Sequence, residues 1–251
     1  MIELPALLTD CTSIPRVAPR RAVRLESWLP SRCQICHAWP AAPLCNTCVA
    51  RFAAAQPRCE RCALPIGNGT PVCGACLHEP SPLDACLSAV SYAWPWSECL
   101  GRLKFQRSTG LAGALAALLM RTPGVVPALA RAHWVIPLPL SRQRLAERGY
   151  NQALLLARKM VSRGIRTDLL VRVRHTPPQR TMSREDRLRS MRGAFSVDPT
   201  KISILRDRRV VLIDDVMTTG ATLRAAANVL RQAGVAHITG IVVARTPDDR
   251  S

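Results

Sequence analysis

The apolar positions of this chain fall into short unbroken runs, separated by segments with helical spacing. The clearest run is Val210, Val211, Leu212 and Ile213, which ends in the adjacent carboxylates Asp214 and Asp215. A run without polar alternation suits a strand covered on both faces, as in a parallel α/β sheet. A small hydroxyl-rich turn follows, Thr218-Thr219-Gly220-Ala221-Thr222. An alanine-rich helical pattern then extends to about Gln232, where Ala233-Gly234 supplies a C-terminal cap. The pattern predicts strand, loop and helix N-terminus in that order. Free N–H groups and the positive end of the helix dipole suit a phosphate. The two carboxylates stand at the C-terminal end of the strand, where open α/β sheets bind ligands.

The same reading places a strand over 84–93 ending at Trp94-Pro95-Trp96, helices over 97–105 and 109–120, and a short strand over 134–136 stopped by Pro137 and Pro139. A basic, glycine-containing loop covers 140–152, a helix runs over 151–161, a strand over 169–173 and a last strand over 237–244. The order β-α-β-α-β-loop-β-α-β predicts a mostly parallel sheet with helices on both faces. Lys104 stands among apolar neighbours; it either snorkels along them or reaches a phosphate. Arg148, in the basic loop, is either a phosphate clamp or part of a solvated surface. Residues 172–192 carry seven arginines against Glu185 and Asp186. A polar segment of that length suits a hood over a pyrophosphate or a contact for single-stranded nucleic acid.

Upstream of residue 80 the periodicity stops and cysteine takes over. Residues 1–30 read as an extension, with Pro5, Pro15 and Pro19 and a short amphipathic helix over 22–29. Residues 31–80 hold four CxxC knuckles within 44 residues: Cys33 and Cys36, Cys45 and Cys48, Cys59 and Cys62, Cys73 and Cys76. Each knuckle turns two thiolates to one side, so two knuckles make a tetrahedral four-thiolate set for zinc. Eight ligands give two structural zinc ions. Sequential and interleaved pairing both satisfy the spacing, and an iron–sulfur cluster is the weaker alternative. Four thiolates leave no open position for water, so the metal holds structure, which small ribbons with little core require. His37 and His78 flank knuckles, whereas Cys11, Cys86 and Cys99 lack a CxxC partner. Residues 81–251 form the second unit.

Composition changes this picture in one respect. Of 251 residues, 35 are Lys or Arg and 17 Asp or Glu, for a formal charge of +18. That balance favours polyanions, though the excess of Arg over Lys is also what a GC-rich genome produces. Aromatic residues make up only 4%, so a base-stacking platform is not evident. No apolar stretch reaches membrane-span length and the N-terminus lacks a secretory pattern, which leads to an expectation of a cytoplasmic protein without membrane insertion.

The residues 210–223 resemble the phosphoribosyl-pyrophosphate (PRPP) signature of type I phosphoribosyltransferases. Four features in fixed order resemble the ComF/GntX family of competence-associated, phosphoribosyltransferase-like proteins. They are the paired CxxC ribbons, Leu103-Lys104-Phe105, Pro137-Leu138-Pro139 with Glu147-Arg148-Gly149-Tyr150-Asn151-Gln152, and the PRPP signature, with Ala244-Arg245-Thr246 closing the chain. The resemblance implies a type I phosphoribosyltransferase fold joined to an N-terminal double zinc ribbon. It implies that Asp214 and Asp215 face a ribose, that Thr218, Thr219, Gly220, Ala221 and Thr222 hold the 5-phosphate, and that Lys104, Arg148 and Asn151 lie near the site. Mg2+ would accompany PRPP. The segment with Thr176, Gln179, Arg187 and Gly193-Ala194-Phe195 matches a family stretch, except that Ser190 replaces the usual Asn. The implied role is a binding module in DNA uptake during natural transformation, with single-stranded DNA and DNA-processing proteins as partners. The alternative is an active transferase moving ribose 5-phosphate from PRPP to a nitrogen acceptor. No residue reads as a base for that acceptor.

Overall fold

The structure, a computed structural model, describes residues 31–67, 69–173 and 193–247. The expected helix over 22–29, the isolated Cys11 and most of the arginine-rich segment, with Thr176, Gln179, Arg187 and Ser190, lie outside the described residues. The strands are β1 (Ala85–Ser91), β2 (Trp134–Pro137), β3 (Val171–Arg172), β4 (Phe195–Ser196), β5 (Arg209–Met217) and β6 (His237–Arg245). Four of them form one parallel sheet in the order β1-β6-β5-β2. The two central strands carry the unbroken apolar runs, and β1, at one edge, alternates half-buried and buried positions. Central strands lose water on both faces, and the other edge strand, β2, is buried over Val135, Ile136 and Pro137 as well, where Ile165 bridges to Val135.

The helices are α1 (Asn46–Phe52), α2 (Gly74–His78), α3 (Trp96–Phe105), α4 (Leu111–Arg121), α5 (Val125–Arg131), α6 (Arg142–Arg148), α7 (Gln152–Met160), α8 (Ile202–Leu205) and α9 (Ala221–Gln232). Val211 and Ile213 of β5 join a core with α3, α4, α5 and α7. Val210 and Leu212, one position out of phase, join the opposite core with Leu223, Ala226, Ala227 and Leu230 of α9. Helices thus cover both faces, as the period-2 exit of side chains from a buried strand requires. Among the described residues no single helix is long and apolar enough to cross a membrane, and the apolar stripe of α4 is spent on the core.

Three readings of the sequence are corrected. The basic stretch 140–152 is not an open loop, because residues Arg142–Arg148 form α6. Ser141 caps its start by accepting from the Arg144 N–H, and Gly149 ends it with φ of 80°. The expected strand over 169–173 is reduced to the two residues of β3, which pair antiparallel with β4 and not with the main sheet. Leu169 and Leu170 are buried while Val171 and Val173 stay exposed, so apolar content there reflects anchoring of a connection. Helix α5 was not anticipated; Pro127 inside it concealed the pattern.

Candidate functional site

The parallel register sets Asp214 beside Val242 and Met217 beside Arg245, so the C-terminal ends of β5 and β6 open together on one edge. Asp215 is buried at 6% exposure. The Val216 N–H donates to its Oδ1 at 2.8 Å, and Lys104 Nζ stands 3.0 Å from its Oδ2. Lys104 of α3 therefore neutralises the inner carboxylate; it does not snorkel to solvent. Asp214 accepts from the Asp215 N–H at 2.9 Å. Burial and then the neighbouring Asp215 charge push its carboxyl up to about 7, against the pull of Lys104.

Beyond the acids the chain turns through Thr218 and Thr219 to Gly220, which has φ of 80° and precedes α9 as its N-cap. A Cβ at Gly220 would lie 2.4 Å from Met217 Cε, the movable end of that side chain, so it is the backbone conformation that selects glycine here. The Ala221 N–H donates to Thr219 Oγ1 at 3.4 Å. Ala221 and Thr222 begin the helix, whose first-turn N–H groups lack partners within the helix.

Tyr150 fixes the position of Lys104, because its hydroxyl donates to the Leu103 carbonyl on α3. Arg148 lies over the exposed Phe105 ring, 5.2 Å from its centroid. Asn151, expected near the site, has its side-chain bonds within the fold. Its side chain caps α7 by accepting from the Leu154 N–H and donates to the Leu138 carbonyl at 2.9 Å. Its role in the described structure is to join α7 to the end of β2. Two arginines were not singled out in advance. Arg144 is depressed by burial and by Arg148, with Asp214 and Asp215 acting in the opposite sense. Arg172 is depressed by burial and by Arg144, again opposed by Asp214. Arg144 therefore stands within electrostatic reach of both acids, and Arg172 of Asp214. Only their place in basic clusters hinted at this, which does not tell a site arginine from a solvated one.

The cysteines close two sets. The sulfurs of Cys33, Cys36, Cys45 and Cys48 (ribbon 1) lie within 4.8 Å of one another, as do those of Cys59, Cys62, Cys73 and Cys76 (ribbon 2). Pairing is thus sequential. Sulfur separations of 3.9 Å for Cys33–Cys48 and 3.7 Å for both Cys36–Cys45 and Cys62–Cys73 match the roughly 3.8 Å edge of a tetrahedron with Zn–S bonds of about 2.3 Å. N–H donors at 3.4 Å on Cys45 Sγ and 3.3 Å on Cys59 Sγ favour thiolates. Both sets fit structural zinc, and all four positions of each are taken by protein. His37 and His78 are exposed and belong to neither set. Cys86 and Cys99 are buried, and burial pushes the Cys86 thiol up to about 12.

Residues 145–251 match the phosphoribosyl transferase domain model, and residues 25–77 match the double zinc ribbon domain. The chain is 34% identical over 202 residues to competence protein F of Haemophilus influenzae, covering 78% of this chain and 87% of that protein. It is 30% identical over 214 residues to DNA utilization protein YhgH of Escherichia coli (strain K12), covering 81% and 90%. The chain belongs to the ComF/GntX family. Similarity extends to competence protein ComFC of Bacillus subtilis, at 32% identity over 154 residues and 59% of each chain. In this ComF/GntX member, residues 78–144 lie between the two matched domain models, and α3 within them brings Lys104 to the acid pair.

Proposed function

We propose that this protein acts in the cytoplasm in DNA uptake, binding PRPP or a related sugar 5-phosphate at the sheet edge and single-stranded DNA or a DNA-processing protein through its basic surfaces. One observation carries the reading. An acid pair with its inner member buried and a glycine turn onto a helix N-terminus share one edge of the sheet, in a chain whose near-full-length relatives are named for competence and DNA utilization. In this reading Thr218, Thr219, Gly220, Ala221 and Thr222 hold the 5-phosphate through main-chain N–H groups and hydroxyls. Asp214, half-buried, accepts from the ribose hydroxyls. Arg144, Arg148 and Arg172 face the pyrophosphate end. Mg2+ arrives with PRPP; the pair is not a ready-made cation site, since Lys104 already holds one oxygen of Asp215.

An active transferase is the second reading, and the intact acid pair favours it. Departure of pyrophosphate leaves positive charge on the ribose, which Asp214 and Asp215 stabilise while the arginines receive the leaving group. The protein's contribution is position and charge.

The two readings separate on one comparison. Pyrophosphate release from PRPP and Mg2+ is followed with candidate nitrogen acceptors, beside single-strand binding at several salt concentrations. Binding without turnover, with a steep salt dependence that survives Asp214→Asn, supports the DNA-uptake reading. Turnover lost in Asp214→Asn supports the transferase. Absence of both activities rejects both readings.

A further inference from the structure

Arg245 is 7% exposed, and its Nε and Nη1 face main-chain carbonyls. Its Nε donates to the Cys62 carbonyl at 3.0 Å and its Nη1 to the Met217 carbonyl at 3.4 Å. Nη1 also donates to the carbonyls of Thr218 and Thr246. One side chain thus joins a knuckle of ribbon 2 to the turn that enters α9.

Geometry gives that bridge a consequence. A trans peptide points its C=O and the following N–H in opposite directions. The Met217 carbonyl is shared with the Thr246 N–H, which donates to it at 2.9 Å, so Arg245 acts most on the Thr218 carbonyl, and holding that carbonyl toward Arg245 turns the Thr219 N–H the other way. The direction of the Thr219 donor is thus tied to Arg245, and the Arg245 Nε is tied to Cys62. The Cys62 sulfur is one of the four ligands of ribbon 2, so metal fixes the knuckle whose carbonyl anchors the arginine. Two further contacts run in parallel. The Cys86 N–H donates to the Glu60 carbonyl at 2.7 Å, between two ligands of the same ribbon, and Cys86 Sγ meets Met217 Sδ at 3.6 Å. Met217 is in turn the side chain that lies under Gly220.

We propose that Arg245 is a positioning residue that couples the metal-held fold of ribbon 2 to the donor geometry of the 218–222 loop, so that metal loss from ribbon 2 loosens the loop and metal loss from ribbon 1 does not. The ligand arm of this inference rests on the phosphate-loop reading above; the structural arm does not.

The test uses the full-length, zinc-loaded chain and the variants Arg245→Lys, Cys76→Ser and Cys36→Ser. Amide hydrogen exchange is measured by peptide across 217–222 and across 210–214, and PRPP with Mg2+ is titrated by calorimetry. Exchange over 217–222 is expected to accelerate on the order of tenfold or more in Arg245→Lys and Cys76→Ser, the scale of losing a charge-assisted hydrogen bond. Residues 210–214 should keep their protection, and Cys36→Ser should match the parent in both segments. PRPP affinity should fall by a similar factor in the first two variants only. Unchanged exchange in Arg245→Lys overturns the coupling, as does equal loosening in Cys36→Ser. If Arg245→Lys unfolds, Cys76→Ser with zinc content recorded decides the same question. Loosening without any PRPP binding to the parent rejects the ligand reading and leaves the coupling supported.

Discussion

The two ribbons share a ligand set and a chelate geometry, yet they meet the sheet from opposite sides and support different halves of the site. Ribbon 1 lies on the α3–α4 side, where Leu44 joins that core. It reaches α3 through Arg102, which donates to the Gln34 side chain at 3.0 Å, and through Trp96 Nε1, which donates to the Phe52 carbonyl at 2.8 Å. The helix so held carries Lys104. Ribbon 2 lies on the α9 side, where Cys59, Cys62, Ala63 and Cys73 are part of the core itself, and it holds Arg245 and the loop. The burial differs as well, since Cys36 of ribbon 1 is exposed whereas Cys59 is fully buried and Cys62 is 8% exposed. Similar metal modules can therefore differ in what their loss does, according to which core they complete.

The largest effect tests that asymmetry. Cys62→Ser should lower the midpoint of the main thermal transition by about 10 °C or more, because a ligand of a structural zinc is lost from inside the core. Cys36→Ser should remove one zinc of two and shift the midpoint by about 3 °C or less. Melting curves with metal analysis check both, and equal shifts would break the comparison.

Lys104→Met probes the half that ribbon 1 supports. It leaves the buried Asp215 without its cation, at a cost of about 3–5 kcal/mol in denaturant unfolding at neutral pH. A loss below about 1 kcal/mol would show that solvent already screens the pair.

Asp214→Asn sharpens the account at the point where the two halves meet. In the folded chain the Asp214 carboxyl keeps its proton up to about pH 7, whereas the unfolded chain releases it near the ordinary 3.8. The folded state therefore binds the extra proton between those values and loses stability as pH rises through them. Removing the charge should raise the melting temperature by a few degrees at pH 8 and leave it unchanged at pH 4. The opposite pH trend would contradict the burial of that carboxyl.

Local chemistry made much of this legible. The run Val210 to Ile213 announced a central strand because nothing polar interrupts it, and Gly220 announced the turn. The knuckles announced their metal because thiolates at that spacing have few other uses. The missing parts depend on distance along the chain. Knuckle pairing needs the path between knuckles. Helix α6 is polar nearly all round, so it has no stripe to read, although Ser141 and Gly149 were caps in view. The short β3 carries the apolar composition of a strand but only anchors a connection. Arg245 was visible only as part of Ala-Arg-Thr, and its acceptor at Cys62 lies 183 positions away. A buried arginine satisfied by carbonyls leaves no periodic signature.

The most direct measurement is a calorimetric titration of the zinc-loaded chain with PRPP and Mg2+. One saturable site per chain, weakened at least about tenfold by Asp214→Asn, a loss of about 1.4 kcal/mol or more, is the predicted result. Absence of saturable binding to the parent chain, with both zinc ions in place, would contradict the assignment of this sheet edge as a sugar-phosphate site.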